Sequence, residues 1–147
     1  MSMRKAWIYF ILALSMSFWV QAQTNAWGTL MLTQFEKEYK EDWGMEVDKP
    51  IFSPALEAME GTKIDLHGYI IPIEGKKSQA HFMFSAFPVN MCYFCGKAGP
   101  ESVIEVFMKD GEKVTFTDEK IWLSGQLKLN AFDPTSSIYV LEQAELH

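Results

Sequence analysis

Two stretches of this chain share one pattern, Ile64-Asp-Leu-His-Gly68 and Ile121-Trp-Leu-Ser-Gly125, and both keep alternating past the glycine. Strict alternation of apolar and polar residues marks a strand with one buried face. Glycine in mid-strand weakens it, unless a bend, a bulge or a close backbone approach requires it. Strands that coil tightly around a small barrel need such bends. Two glycines at the same phase therefore predict a mainly β fold built as a small antiparallel OB-like barrel. A β-sandwich is the alternative.

The remaining strands follow from the same rule. Ile64, Leu66, Gly68 and Ile70 alternate until Pro72 ends the ladder. His81–Phe87 places Phe82, Phe84 and Ala86 on one face. Ser102–Lys109 is apolar on both faces, and Asp110-Gly111 predicts a hairpin into Val114–Thr117. Ile121, Leu123, Gly125, Leu127 and Leu129 alternate, Asp133-Pro134 turns the chain, and Ile138–Gln143 closes it. One short helix is expected over residues 53–61: Ser53 can cap it, Pro54 suits its first position, and Gly61 can end it. Residues 23–52 read as an irregular arm, docked onto the domain by Trp27 and Trp43, with its acidic residues forming a solvated face.

The N-terminus reads as a secretory signal peptide spanning residues 1–22. Arg4 and Lys5 precede a 15-residue apolar run, Ala6 to Val20, interrupted only by Ser15 and Ser17. Val20-Gln21-Ala22 supplies small residues at the −3 and −1 positions, so cleavage is expected after Ala22. The run is short for a membrane span; an uncleaved N-terminal anchor is the alternative. The expected compartment is the periplasm. Residues 23–147 then form a single OB-like domain. Cleavage removes two basic residues and no acidic ones, which takes the net charge from −6 to −8. Such a surface repels nucleic acid and anionic lipid.

The two cysteines of the chain lie three residues apart, in Cys92-Tyr-Phe-Cys95-Gly96. In an oxidising compartment, thiols pair, hold a metal or are kept reduced. A pair at this spacing is poorly placed to staple distant segments and well placed to grip one metal ion or to exchange electrons. The loop Pro88–Pro100 falls between the second and third barrel strands, and long connections without regular structure are commonly functional. Thiolate suits zinc and copper(I). His81, at the start of the strand feeding the loop, is the expected third ligand; Met91, Met83 and Glu101 are further donors. The alternatives are a local Cys92–Cys95 disulfide and thiol–disulfide redox chemistry. The redox reading lacks the helix that disulfide oxidoreductases place behind the first cysteine. Haem attachment fails because Gly96, not histidine, follows Cys95.

The other candidates are weaker. His67 reads as a surface histidine, His147 as a terminal residue without a role, and Glu101 and Glu105 as solvated strand charges. Tyr93 and Phe94 could shield a metal or contact a partner. No nucleophile elbow, phosphate loop or carboxylate pair supports an enzyme.

Five segments together resemble a known family: Pro50-Ile-Phe-Ser53, Gly68-Tyr-Ile-Ile-Pro72, His81-Phe-Met-Phe-Ser-Ala-Phe-Pro88, Met91-Cys-Tyr-Phe-Cys-Gly96 and Gly99-Pro-Glu101. The chain resembles the exported bacterial domain of unknown function 3299 over about residues 45–146, most closely its Bacteroidetes-type branch. The family has no assigned activity. The resemblance implies that other branches carry cysteine followed closely by histidine in this loop, an exchange a metal site tolerates and a disulfide does not. It also implies association with an envelope protein complex of the ABC-transporter type, some relatives being linked to zinc uptake. The expectation is an exported, non-enzymatic protein that binds zinc or copper(I) through Cys92, Cys95 and His81, as an accessory to envelope transport. The alternatives are a disulfide-braced partner-binding module and a redox protein.

Overall fold

The computed structural model describes residues 24–72, 76–131, 133 and 136–147. The expected signal peptide, its expected cleavage site and Pro134 lie outside the described residues. No helix among the described residues is long and apolar enough to cross a membrane.

Among the described residues, nine strands form in chain order: β1 Gln34–Lys40, β2 Met45–Ile51, β3 Lys63–Ile71, β4 Ser78–Gln79, β5 His81–Ser85, β6 Val103–Met108, β7 Val114–Thr115, β8 Ile121–Leu129 and β9 Tyr139–Leu146. The single-turn α-helices α1 Trp27–Leu30 and α2 Pro54–Glu57 accompany them. Five strands close a barrel in the order β3-β5-β6-β9-β8 and back to β3. Numbered along the barrel, that order is first, second, third, fifth, fourth, which is the OB-like Greek-key arrangement anticipated above. One detail differs from an all-antiparallel barrel. β6 and β9 run parallel, because the fifth strand must cross the barrel end to reach the third.

Both glycines sit where strands approach too closely for a side chain. β3 pairs with β8 through Gly68 and switches to β5 at Tyr69. A Cβ at Gly68 would lie 2.3 Å from the Ser85 carbonyl oxygen. Gly125 lies where the β8–β9 register shifts, and its Cβ would meet the Glu142 carbonyl at 2.8 Å. The twin pattern therefore marks two corners of one barrel. Its interior is filled by Leu66, Phe82, Phe84, Ile104, Val106, Leu123 and Leu141, all fully buried.

The N-terminal arm is ordered rather than irregular. Trp27 is buried and stacks on Phe84 at 6.4 Å. The chain then forms a β1–β2 hairpin, held across its strands by ion pairs such as Lys37–Asp48 at 2.7 Å. Trp43 does not dock this arm; it is half exposed near the hairpin tip. Tyr139, fully buried at the start of β9, ties the arm to the barrel by donating to the Leu30 carbonyl at 2.9 Å and meeting the Thr33 hydroxyl. Burial, with the Glu101 charge nearby, pushes its phenol up to about 12, against the pull of Thr33.

Two further expectations are corrected. The Asp110-Gly111 turn forms, with φ of 51° and 71°, but it makes no hairpin: β7 pairs with β4 instead of β6. The expected helix over residues 53–61 is α-helical only over Pro54–Glu57, with Ser53 Oγ accepting from Leu56 N at 3.3 Å.

Candidate functional site

The cysteine loop leaves the barrel between β5 and β6, at a neck closed by two buried serines. Ser85 Oγ accepts from Phe87 N at 3.1 Å, and Ser102 Oγ donates to the Gly99 carbonyl at 2.6 Å. Ala86 N donates to the Ser102 carbonyl at 3.0 Å, joining the two stems. The excursion between them is therefore anchored at its base.

Two successive 3-10 turns shape the loop. The first covers Val89–Met91, closed by Met91 N on the Pro88 carbonyl at 2.8 Å. Cys92 is extended between the turns, and the second covers Tyr93–Cys95. Gly96 ends it in the left-handed region, φ 70° and ψ 20°, where a side chain is disfavoured. This geometry folds the cysteines back toward the first turn. Cys92 Sγ donates to the Val89 carbonyl at 3.1 Å, and Cys95 Sγ donates to the same oxygen at 2.9 Å. Both thiols are free, and they converge on one point. Their surroundings differ: Cys92 is 1% exposed, whereas Cys95 faces solvent.

Around the thiols the loop displays apolar side chains. Val89, Met91, Tyr93 and Phe94 are each between 42% and 57% exposed. Tyr93 and Phe94 pack edge to face at 5.4 Å. An open groove adjoins the loop, lined by Tyr69, Pro88, Val89, Asn90, Phe116 and Asp118.

His81 does not join this cluster. It opens β5, and the loop departs from the opposite end of that strand, about 13 Å away at about 3.3 Å per residue. Its Nε2 contacts Glu105 Oε1 at 2.7 Å, and its ring stacks on Phe107, its cross-strand partner, at 4.3 Å. Among the described residues, no group of three or more His, Cys, Asp or Glu is placed to hold a metal. Cys92 and Cys95 are thus brought together without the expected third ligand.

Glu105 is not the solvated charge that its strand position implied. Its side chain is 14% exposed and accepts from His81, from Ser136 Oγ at 2.7 Å and from Ser137 N at 3.2 Å. Burial works to raise its carboxyl, but these three hydrogen bonds outweigh burial and hold it below the usual range. Sequence reading missed this node because Ser136 and Ser137 lie about 30 residues away on a loop without a motif. His67 is on the barrel surface, stacked flat on Trp122 at 4.5 Å. His147 meets Ser124 Oγ at 2.6 Å, a structural contact for a residue read as idle.

The arrangement bears on redox chemistry as well. Disulfide oxidoreductases expose the first cysteine at the start of an α-helix, whose dipole activates it. Here the first cysteine is the buried one, and a single 3-10 turn follows it.

Comparison with curated proteins finds no match. A crystal structure of a DUF3299 family protein from Pseudomonas aeruginosa is similar over 67% of each chain, with 18% sequence identity and a TM-score of 0.45. The family model described as protein of unknown function (DUF3299) matches residues 17–147. Nearly the whole chain, barrel and cysteine loop included, falls within that match, and the protein belongs to this family.

Proposed function

We propose that the protein is an exported, non-enzymatic accessory of the cell envelope that binds one soft metal ion, zinc or copper(I), through Cys92 and Cys95. One observation carries the reading: two free thiols, one between two tight turns and one in the second, donate to the same carbonyl oxygen. The neck hydrogen bonds and the left-handed Gly96 hold that convergence, so little ordering remains to be done on binding. Each sulfur becomes a ligand on losing its proton to solvent. A periplasmic location and an ABC-transporter-type partner fit the basic and apolar N-terminal segment and the family resemblance.

Titration of the reduced protein with cadmium(II), a soft spectroscopic probe, tests the reading. A thiolate-to-metal charge-transfer band should grow to one ion per chain. Cys95→Ser, at an exposed position, should remove the band without altering the circular dichroism of the barrel. A band of equal size in Cys95→Ser would remove the thiol pair from consideration.

A second reading has its own observation. The exposed Val89, Met91, Tyr93 and Phe94, next to an open groove, form an apolar rim of the kind that marks interaction surfaces. In that reading a Cys92–Cys95 disulfide braces a partner-binding loop. Binding would then survive chelators and be lost in Tyr93→Ala with Phe94→Ala.

A further inference from the structure

Resting on the soft-metal reading above, we infer that the thiol pair is a copper(I) site of low coordination number, loaded and unloaded through Cys95. Zinc is the other ion that thiolates favour, and the two differ in how many ligands they demand. Structural zinc takes four. The described residues offer this point two thiols and no further His, Cys, Asp or Glu in a metal-binding group. His81, the natural third donor by sequence, is engaged by Glu105 and Phe107 at the far end of β5. Copper(I) is satisfied by soft sulfur, thioether included. Met91, adjacent to Cys92 and 49% exposed, supplies a thioether on the same loop.

The position of the ion follows from the hydrogen bonds. Two S–H bonds aimed at the Val89 oxygen bring two protons to one place. One cation can replace both, with the two protons leaving to solvent and no change in oxidation state. The unequal burial then sets the route of exchange. Cys92 is enclosed and retains the ion, whereas Cys95 is open to an incoming donor. An acceptor thiolate forms its bond to copper as the Cys95–copper bond breaks, a second acceptor thiolate then displaces Cys92, and each freed cysteine takes up a proton from water. No electron is transferred. The acceptor is thus a protein with its own soft sulfur donors, meeting a loop rimmed by Tyr93 and Phe94.

The test is anaerobic competition of the reduced protein for copper(I) against bicinchoninate, and for zinc(II) against a chromophoric zinc chelator. One copper(I) per chain is expected, bound at least about 1,000-fold more tightly than zinc, because an all-sulfur set of two thiolates and a thioether suits copper(I) and leaves zinc short of ligands. Met91→Leu should weaken copper about 10-fold, and Cys95→Ser about 100-fold or more, by loss of sulfur ligands. His81→Ala should change nothing. Zinc held as tightly as copper, including one zinc shared by two chains, would overturn the copper assignment and leave the soft-metal reading standing. Binding of neither ion would overturn both. Full copper affinity in Cys95→Ser would overturn the thiol-pair site itself and the exchange route with it.

Discussion

At the scale of single residues, Gly68 and Glu105 show most clearly how chemistry fixes position. Gly68 is required because β3 changes partners there and its Cα lies against the β5 backbone. Backbone cannot yield as a side-chain tip can. Gly68→Ala should cost about 3 kcal/mol, the upper part of the range for overpacking. Urea unfolding checks it: a lowered midpoint with unchanged slope is expected. Glu105 carries a pH signature. Its folded carboxyl is held below the unfolded value, so its stabilising contribution is present above that value and fades as pH falls through the folded one. Glu105→Gln should therefore lower Tm at neutral pH and converge with the parent protein in acid. A difference that persists in acid would show that Glu105 acts by packing alone. Neither role was equally visible in the sequence. The glycine stood out by interrupting an alternating strand, whereas the glutamate's partners arrive from a distant loop.

At the scale of elements, local patterning identified the barrel strands and failed where pairing was non-local. β3, β5 and β8 were legible because apolar residues or glycine recur at every second position of each. The parallel β6–β9 contact leaves no local mark, because strand direction is set by the path of the chain between them. The Asp110-Gly111 turn was legible as a turn, but not as one that feeds β7 to β4. The β1–β2 hairpin was missed because its charged residues cross the ribbon as ion pairs, and in sequence these read as a solvated face. What anchors this arm is Tyr139, whose hydroxyl satisfies a carbonyl of α1. Tyr139→Phe removes that bond and the contact with the Thr33 hydroxyl, leaving the Leu30 carbonyl with Thr33 N alone at 3.2 Å, and should cost about 1 kcal/mol. An unchanged unfolding midpoint would mean that the arm is held without it, by Trp27 packing and the hydrogen bond from Ala26 N to the Asp65 carbonyl.

At the scale of the whole molecule, a rigid barrel presents one specialised loop. The candidate site was legible in the Cys-x-x-Cys spacing and in the placement of the loop between the second and third barrel strands. The third ligand was misread because nearness in sequence stood in for nearness in space. His81 begins the strand that feeds the loop, and that strand's own length carries it away. The two turns that fold both thiols onto Val89 depend on Gly96, which the sequence showed, and on the serine-closed neck, which it did not. The measurement that bears most directly on this account is native mass spectrometry of the protein, isolated from cells without chelator or reductant. The account predicts one soft metal ion per chain, absent from Cys95→Ser. A metal-free chain lighter by two hydrogens would contradict it, because the thiols would then be spent in a disulfide.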